Sequence, residues 1–486
     1  MPVITIDNKK IEATAGTTVL KAALDNGIFI PHFCWHPALS VSGNCRMCVV
    51  DVSYRIGERA SGSASASERG LGGRSESSSE SFTPFKLTVS CNLPVAEGMV
   101  INTASAAVKK MRADVLEFLL ANHPLDCPIC DQAGECLLQD YHFKYSGRPS
   151  RFKEEKTHGP KGVDVGPNIK LDNERCVLCT RCVRFCAETA KKSDLTVAIR
   201  GDRSFITTAP GRKLDNPYAM NTVDLCPVGA LTSKDFRFKK RVWFLRSTPS
   251  ICPNCSNGCP IWIDHESDTM YRWRPRGGFL CDDGRLSYKE WQGDKRITAP
   301  LTKSEVGFVE TNPVDTVSYI RSVLGSAPKE KVVGVIESGA SCEDVDAFLG
   351  IAGKVYMTGR KEETEFGDGI IKKKDKNPNT KYLEGKGLKE IPENLTGDVL
   401  VIAGALSGDD ILKAVGFEWN MIVQITHDME HAVPGADVIL PRATFVESSG
   451  TFVNFKGESQ EFSKACEPKG DARSIKDWLV SLRAKQ

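Results

Sequence analysis

The sequence predicts an α+β arrangement in its first part and an α/β arrangement in its last part. Alternating apolar and polar residues in segment 3–13 predict a β-hairpin with one buried face. Sixteen of the 18 cysteines lie between Cys34 and Cys281, so potential metal ligands are concentrated in the first part. In the last part, apolar runs followed by helical patterns predict buried strands of an α/β domain. These strands are residues 332–336, 399–403 and 421–425.

Composition excludes several classes of protein. With 64 Lys and Arg against 62 Asp and Glu, the 486-residue chain carries a net charge of +2 and has no overall attraction to nucleic acid or anionic lipid. The longest apolar runs, such as residues 399–403, fall far short of the roughly 18 residues that cross a bilayer. The first residues resemble no leader or presequence, so we expect a cytosolic chain. In a reducing compartment, 18 thiols are expected to bind metal rather than to form disulfides.

The first 100 residues predict a small β-grasp domain. After the hairpin comes a short helix that Thr17 or Thr18 can cap and that Gly27 ends, and a cysteine-containing loop follows. Residues 54–84 contain nine serines and almost no large apolar side chains. Such a segment buries too little surface to offset the cost of ordering, so we predict a disordered surface insertion there.

Further along the chain, helical periods and loop-forming compositions alternate. Residues 103–122 have the apolar period of a helix, which ends at His123 because Pro124 follows. Residues 148–168 are polar and rich in Pro and Gly, which predicts a linker. In the last part we predict helices at 343–349 and 409–415 and a long surface loop at 361–390.

Two cysteine sets have ambiguous ligand patterns. The first set could enclose a [2Fe-2S] cluster as β-grasp ferredoxins of the plant kind do, although its spacing differs from the plant form, and zinc or inert core thiols are the alternatives. The second set combines three cysteines with one histidine, which suits structural zinc as well as an iron–sulfur cluster. The first set is Cys34, Cys45, Cys48 and Cys91, and the second is His123, Cys127, Cys130 and Cys136.

A third set carries a specific signature. Cys176, Cys179 and Cys182 follow the CxxCxxC pattern, in which three cysteines hold three corners of a [4Fe-4S] cubane and a remote cysteine followed by proline holds the fourth. We assign Cys226 as that fourth ligand because Pro227 follows it. Cys186 is followed by alanine, so we expect it to be a packed bystander.

A fourth set could hold either a [4Fe-4S] cluster or zinc. It consists of Cys252, Cys255 and Cys259 closed by Cys281. One such site alone would not decide the metal. Four sites along one chain, one of them with the ferredoxin signature, indicate a series of redox centres.

On these motifs, residues 1 to about 300 resemble the large iron–sulfur subunit, called the G subunit or the 75 kDa subunit, of NADH:quinone oxidoreductase, respiratory complex I. The set from Cys252 to Cys281 is similar to an additional [4Fe-4S] site of some bacterial members, which indicates a bacterial chain. The last part resembles the molybdopterin oxidoreductase fold. About 190 residues are too few for that complete fold, so we expect a truncated scaffold without a molybdenum cofactor. This second resemblance rests on residues 296–301, 436–441 and 444–452.

The resemblance implies one [2Fe-2S] cluster on the first set, three [4Fe-4S] clusters on the other three sets, and no acid–base catalytic residue. It implies a [2Fe-2S] β-grasp domain, a helical segment with a [4Fe-4S] cluster on one histidine and three cysteines, a ferredoxin-like [4Fe-4S] domain, an additional [4Fe-4S] domain and a truncated molybdopterin-oxidoreductase-like α/β domain. In the same order, these domains are residues 1–100, 101–147, 148–247, 248–300 and 301–486.

In this family, the first three clusters relay electrons from a flavin-containing NADH-binding subunit toward quinone, and the additional cluster lies off that path. The resemblance therefore implies one subunit of a hetero-oligomeric oxidoreductase that also contains other peripheral-arm subunits. It implies a peripheral position on the cytoplasmic face of the bacterial inner membrane, reached only through partner subunits, and no nucleic acid.

Particular residues favour or exclude other functions. The basic and aromatic segments 236–246 and 271–276 could bind nucleic acid, but we expect a solvated or docking face with the aromatic rings packed beneath it. A zinc-ribbon scaffold is a second alternative. An iron-only hydrogenase would need more cysteines than Cys342 and Cys466 after residue 300, and a formate dehydrogenase would need a longer body. A diaphorase-type iron–sulfur subunit of an NAD-linked hydrogenase or formate dehydrogenase remains the main competing function.

Overall fold

The computed structural model describes residues 1–55, 82–293, 295–393, 395–406, 410, 413 and 418–483. It divides the chain into two compact units, Met1–Val242 and Trp243–Gln486, called here the N-terminal unit and the C-terminal unit. Most of the predicted disordered insertion and most of the predicted helix at 409–415 lie outside the described residues.

Within the described ranges, every helix is too short or too polar to cross a lipid bilayer.

The N-terminal unit begins with a five-stranded sheet and one helix. The strands are β1 (Val3–Ile6), β2 (Lys9–Glu12), β3 (Val49–Tyr54), β4 (Lys86–Val89) and β5 (Met99–Asn102), and the helix is α1 (Val19–Asp25). The strand order is β2-β1-β5-β3-β4, in which β1 and β5 are parallel and the other pairs antiparallel. The Thr18 hydroxyl caps α1 by accepting from the Lys21 amide at 3.3 Å. The predicted hairpin, capped helix and β-grasp arrangement are therefore confirmed.

The two ends of the Ser-rich segment meet on the sheet. The amide of Thr83 donates to the carbonyl of Tyr54 at 2.8 Å, and Arg55 and Phe82 form an antiparallel bridge. The chain therefore returns to β4 close to the point where it leaves β3. This brings Cys91 back to Cys48, whose carbonyl accepts from the Ser90 amide at 3.1 Å.

Short elements complete the N-terminal unit. The helices are α2 (Ala106–Asn122), α3 (Leu137–Tyr141), α4 (Arg181–Glu188) and α5 (Asn221–Leu225), and the strands are β6 (Val163–Asp164), β7 (Ile169–Leu171), β8 (Leu195–Arg200), β9 (Arg203–Thr208) and β10 (Leu231–Ser233). Ser105 caps α2, which ends before His123 as predicted. The predicted linker 148–168 is wrong at its end, because β6 pairs with β7 and continues the sheet β10-β7-β6.

The C-terminal unit starts with an antiparallel meander and continues into a large mixed sheet. The meander strands are β11 (Arg246–Ile251), β12 (Pro260–Glu266) and β13 (Thr269–Pro275). The large sheet contains β14 (Leu301–Ser304), β15 (Gly307–Glu310), β16 (Val332–Glu337), β17 (Lys354–Thr358), β18 (Lys389–Glu390), β19 (Val399–Ala403), β20 (Met421–Thr426) and β21 (Val438–Pro441), followed by the hairpin β22 (Gly450–Val453) and β23 (Ser459–Phe462). The helices are α6 (Asp282–Leu286), α7 (Pro313–Ser326), α8 (Cys342–Leu349), α9 (Thr380–Gly385) and α10 (Ile475–Leu482).

The large sheet is covered on both faces. Its order is β15-β14-β21-β20-β19-β16-β17-β18, and the six strands from β21 to β18 are parallel. Alternate strand residues pack on α7, α8 and α10 on one face, and the remaining residues form a second apolar cluster on the other face. Burial on both faces explains why these strands are continuous apolar runs in the sequence.

The three predicted strands of the last part correspond to β16, β19 and β20, and the predicted helix at 343–349 corresponds to α8. The predicted surface loop at 361–390 is partly wrong, because it contains α9 and β18. Leu383 of α9 is fully buried, and this one apolar anchor is too weak a signal among Lys, Glu and Gly to indicate a helix.

One apolar core joins two segments that the sequence assigns to different domains. Trp273 and Tyr288 pack in the same cluster as Phe445, Phe452 and Phe462. Residues 248–300 and the end of the chain therefore share one core in the C-terminal unit. The division into five domains remains a proposal.

We predict that Gly334→Ala destabilises the C-terminal unit. A Cβ atom at Gly334 would lie 2.2 Å from Cε1 of Phe348, where β16 packs on α8. Overpacking of this kind costs about 1–3 kcal/mol. Thermal or denaturant unfolding of the full chain measures the effect.

Gly325→Ala is the matched control. Gly325 lies in α7, is exposed, and has no atom within 4 Å of an added Cβ. This substitution should be neutral or stabilise the chain by about 0.5–1 kcal/mol. An equal loss of stability in both variants would contradict the prediction.

Candidate metal centres

The first set of ligands comes together at one end of the β-grasp sheet. Cys34, Cys45 and Cys48 lie on the loop between α1 and β3, and Cys91 lies on the 3-10 turn Ser90–Asn92 after β4. The thiol of Cys34 makes hydrogen bonds with those of Cys45 and Cys91, and Cys91 also contacts Cys48. The structure therefore joins all four residues of this set through thiol contacts.

Hydrogen bonds within the first set favour two thiolates. The thiols of Cys45 and Cys91 donate to Cys34 and lower its pKa to about 2. The single proton of Cys91 is shared between Cys34 and Cys48, and this hydrogen bond lowers the pKa of Cys48 to about 7. Because they share protons with these partners, Cys45 and Cys91 have raised pKa values. Thiolate is the form that binds metal, so the arrangement suits ligation.

The second set surrounds a small cavity of about 20 Å³. The end of α2 presents His123, Cys127 begins the 3-10 turn Cys127–Ile129, and Cys136 directly precedes α3. Burial, followed by the nearby Arg175 cation, lowers the pKa of His123 to about 4, so its imidazole is neutral and able to bind a metal. All four predicted ligands of this set line the cavity.

The third set surrounds another cavity of about 20 Å³, lined by Cys176, Cys179, Cys182 and Cys226. Leu178 and Thr180 have positive φ angles of 51° and 58°, so the backbone curls around the site. The curl lets the Leu178 amide donate to Sγ of Cys176 at 3.4 Å. Burial raises the pKa of all four thiols, and a bound cation would offset this cost of ionising them.

The two cavities suit a group larger than one zinc ion. A water-sized sphere that touches a thiol keeps its centre roughly 3 Å from the sulfur. Zinc–sulfur bonds are only about 2.3 Å long, so four sulfurs around a single zinc ion would leave no such space. The donor chemistry and the enclosed space of the second and third sets therefore fit a polynuclear cluster.

Cys186 lies apart from the third set. Its thiol makes a hydrogen bond with Asn216, and burial raises its pKa to about 12. The residue is fully buried on α4 and is not part of the cavity lining. The structure thus places Cys186 as a packed residue and brings Cys226 to the other three ligands.

The first and third sets are joined by two arginines of α4. Arg184 donates to the carbonyls of Cys34 at 2.5 Å and Cys179 at 3.2 Å. Arg181 donates to the carbonyl of Trp35 at 2.6 Å and to that of Leu225 at 3.4 Å. Each arginine therefore contacts both the loop of the first set and the backbone beside the third set.

The third and second sets are joined by one backbone hydrogen bond. The amide of Leu137, directly after Cys136, donates to the carbonyl of Pro227, directly after Cys226, at 3.0 Å. Gly229 extends this contact, because a Cβ atom there would lie 2.3 Å from Sγ of Cys130. The spatial order is therefore first, third, second, which differs from the order along the chain.

These connecting residues were missed at the sequence level. The arginines of α4 had no local signal for contact with the first set, because their partners there, Trp35 and Cys34, are more than 140 residues away in the chain. Gly229 had a weak signal, since it lies in the Cys226-Pro-Val-Gly motif.

The fourth set lies in the C-terminal unit, where the meander meets α6. Cys252 follows β11, Cys259 precedes β12, and Cys281 caps α6. The amide of Cys252 donates to the carbonyl of Cys259 at 2.8 Å. Cys255 and the other three members are at most 7% exposed, and burial raises the pKa of Cys252, Cys259 and Cys281.

Two neighbours donate hydrogen bonds to sulfur atoms of the fourth set. The side-chain amide of Asn257 donates to Sγ of Cys259 at 3.0 Å, and the amide of Gly284 donates to Sγ of Cys281 at 3.3 Å. A Cβ atom at Gly284 would lie 2.9 Å from Sγ of Cys252, so glycine leaves the thiol its space. Hydrogen bonds to sulfur are a means of tuning a metal site.

The basic and aromatic segments 236–246 and 271–276 only partly show the expected packing of aromatic rings beneath a charged face. Phe236 is buried as expected, whereas Phe238 is 67% exposed and Trp243 is 59% exposed. Arg272 and Arg274 donate to the carboxylate of Asp264. These two guanidinium groups are thus engaged by a buried acid within their own sheet.

Four family models match successive parts of the chain. They are a 2Fe-2S iron–sulfur cluster binding domain at residues 3–68, the NADH-ubiquinone oxidoreductase-G iron–sulfur binding region at 112–151, the ferredoxin-like domain of NADH-quinone oxidoreductase subunit 3 at 166–232, and molybdopterin oxidoreductase at 380–483. The order confirms the predicted succession of folds. The first three matches confirm iron–sulfur binding in the N-terminal unit.

Curated relatives match between 63% and 70% of the chain. The G subunit of NADH-quinone oxidoreductase from Rickettsia conorii is 37% identical over 346 residues, 70% of this chain and 47% of the relative. The corresponding G subunit from Streptomyces coelicolor is 36% identical over 63% of this chain and 34% of its own length. The mitochondrial NADH-ubiquinone oxidoreductase 78 kDa subunit of Neurospora crassa is 39% identical over 63% of this chain and 38% of its own length. The chain thus spans about half the length of the first of these relatives.

A solved structure entitled "Crystal structure of NAD+-reducing [NiFe]-hydrogenase in the H2-reduced state" is 30% identical, with a TM-score of 0.40, and covers 50% of this chain and 91% of that one. A superposition this loose adds nothing to the assignment. The curated relatives and the subunit-specific iron–sulfur matches agree with one another. On that agreement, the chain belongs to the family of the NADH-quinone oxidoreductase G subunit.

Proposed function

We propose that this chain is an electron-transfer subunit of an NADH:quinone oxidoreductase. One observation carries the proposal: three ligand sets of the N-terminal unit are connected in series by arginine and backbone hydrogen bonds. When bound, iron–sulfur clusters accept and donate single electrons. A series of sets that share backbone contacts is suited to such a relay, in the order first, third, second.

We propose that the four sets identified above are the cluster ligands. The first set would hold a [2Fe-2S] cluster, and the other three sets would each hold a [4Fe-4S] cluster. The fourth set rests on its four buried thiols alone, because the family matches do not include residues 252–281. The proposed ligands are Cys34, Cys45, Cys48, Cys91, His123, Cys127, Cys130, Cys136, Cys176, Cys179, Cys182, Cys226, Cys252, Cys255, Cys259 and Cys281.

The residues around the ligands would hold and tune the centres. The amides of Leu178 and Gly284 donate to ligand sulfurs, and the neutral imidazole of His123 is fixed at the end of α2. Arg181 and Arg184 carry positive charge beside the first and third sets, where they offset negative ligand charge. Ligand identity, burial and hydrogen bonds to sulfur are the means by which a protein sets cluster potentials.

We propose that a partner subunit carries out the hydride chemistry. The relatives named as subunits of NADH-quinone and NADH-ubiquinone oxidoreductases support a hetero-oligomer. In it, a flavin-containing NADH-binding subunit would deliver the electrons. The chain would then be a peripheral subunit on the cytoplasmic face of the bacterial inner membrane, held there by other subunits of the peripheral arm.

Anaerobic purification followed by iron, sulfide and zinc analysis tests the cluster assignment. One two-iron and three four-iron clusters require about 14 iron atoms per chain, with a similar amount of acid-labile sulfide. Low-temperature EPR of the reduced protein should show both binuclear and tetranuclear signals. Folded protein that holds zinc without sulfide would contradict the proposal.

We predict that Cys182→Ala removes the cluster of the third set. The variant should lose about four iron atoms per chain and abolish NADH-driven quinone reduction in the assembled complex, because the third set lies between the other two. Cys186→Ala is the matched control, since this thiol lies on the same helix but outside the cavity. Normal turnover by a fully assembled Cys182→Ala complex, or equal iron loss in both variants, would overturn the assignment.

Cys255→Ala should have a different effect. The fourth set lies in the C-terminal unit, outside the series formed by the first, third and second sets. We therefore expect a lower yield of assembled complex but unchanged turnover per assembled complex. Native gels give the assembled amount, and quinone reduction gives the turnover. Lost turnover at a normal yield of complex would contradict this prediction.

Gly229→Ala tests the contact between the second and third sets. The added Cβ would lie 2.3 Å from Sγ of Cys130, so we expect the second set to lose its cluster, about four iron atoms per chain. Gly159→Ala is the control, because no atom lies within 4 Å of a Cβ at that exposed glycine. EPR of both reduced proteins identifies the missing signal, and wild-type spectra for Gly229→Ala would count against the contact.

A further inference from the structure

The C-terminal unit contains a cavity of about 640 Å³ at the carboxyl edge of its parallel strands. Its wall includes Glu337 at the end of β16, Ala405 after β19, His427 after β20 and Arg442 after β21. From β16 the chain runs to β17 and β18 on one side, then returns to β19 on the other side. Open α/β sheets bind ligands at such a reversal, outside the carboxyl ends of the strands.

Three side chains with metal-binding atoms converge at this edge. His427, Asp428 and His431 each present one ligand atom, and these atoms lie within 4.8 Å of one another. Oδ2 of Asp428 lies 3.0 Å from Nε2 of His427, and Oδ1 lies 2.7 Å from Nδ1 of His431. Because metal–ligand bonds to nitrogen and oxygen are about 2.0–2.2 Å long, two ligands of one ion are separated by about 3 Å.

The backbone around these residues is fixed from both sides. The Ile297 amide donates to the carbonyl of His427 at 3.0 Å, and the Gln424 side chain donates to the carbonyl of His431 at 2.7 Å. The imidazole rings of His427 and His431 stack with their centroids 5.4 Å apart. The metal-binding nitrogen and oxygen atoms therefore belong to a short segment that is anchored to β20. This segment needs little further ordering to bind an ion.

The cavity wall carries five carboxylates and three Lys or Arg side chains, so the local charge favours a cation. Arg442, which faces this region, forms an ion pair with Glu337. The carboxylate of Asp428 has the two imidazoles as its side-chain partners. One carboxylate and two imidazoles suit a first-row transition metal, whereas magnesium and calcium prefer oxygen ligands.

We propose that His427, Asp428 and His431 bind one divalent first-row transition-metal ion. The ion would take the place of the hydrogen-bonding protons between the imidazoles and the carboxylate. Three protein ligands leave coordination positions open, and the adjacent cavity provides space for water or a small ligand at them. The site is separate from all four cysteine sets, so it adds a metal centre to the proposed relay.

Zinc binding to the full chain with its iron–sulfur clusters in place tests the proposal. Free Zn²⁺ is buffered between about 1 nM and 10 µM, and bound zinc is measured after equilibrium dialysis. The wild-type chain should bind one equivalent. Zinc K-edge spectroscopy should show nitrogen and oxygen neighbours at about 2.0 Å, whereas a vacant cysteine site would give sulfur at about 2.3 Å.

Two variants and one control locate the ion. His427→Ala/His431→Ala removes both imidazoles, and Asp428→Asn retains the side-chain shape while removing the charge. We expect affinity to fall by about 100-fold or more in each. Glu290→Gln alters another carboxylate of the same cavity and should bind zinc like the wild type.

Clear outcomes would overturn the proposal. These are no zinc bound by the wild-type chain at the highest concentration, sulfur in the zinc shell, or equal affinity in wild type and Asp428→Asn. Iron content and thermal unfolding of each variant report on folding, and Asp428→Asn keeps the test open if the double variant is unstable. Iron and sulfide content also separates this result from the cluster proposal, because neither assay depends on the histidine site.

Discussion

The hydrogen bond from the Leu137 amide to the Pro227 carbonyl is the contact on which the arrangement of the N-terminal unit depends. It joins two segments that are 90 residues apart, and each segment carries a proposed ligand as the adjacent residue. The covalent backbone fixes each of these residues relative to its hydrogen-bonding group, so this contact, together with the ion pair between Asp126 and Arg175, sets the separation of the two sites. Gly229 allows the close approach because it has no side chain to collide with Cys130.

The arginines of α4 connect the first and third sets and also place positive charge beside them. Buried thiolates are costly unless nearby cations or donors compensate them. Arg181 and Arg184 are largely enclosed, and each donates to carbonyls on two separate loops. Each guanidinium has several donors in a fixed plane, so it can connect two loops where a lysine ammonium could not keep the same geometry.

Sequence patterns predicted the structural features that depend on residues close together in the sequence. The hairpin, the Thr18 cap, the end of α2 and the buried strands β16, β19 and β20 follow local propensity and period. Most of the proposed ligands were likewise visible, because at least three members of each set lie close together in the sequence. The spatial order of the sets was not visible in the sequence, because it depends on contacts between residues 90 or more positions apart. The cavity beside His427 and His431 was also not visible, because it follows from a reversal of strand order between β16 and β19.

The β3–β4 connection shows why a long insertion need not disturb the first set. Thr83 is hydrogen-bonded to Tyr54, and Ser53 donates to the Thr83 carbonyl at 2.5 Å, so the strands are joined before the chain reaches Cys91. The entropy of closing a loop grows only slowly with its length. Cys91 is positioned by the Ser90 contacts to Cys48, and these lie on the ligand side of the junction. The geometry of the set is therefore independent of how many residues the connection contains.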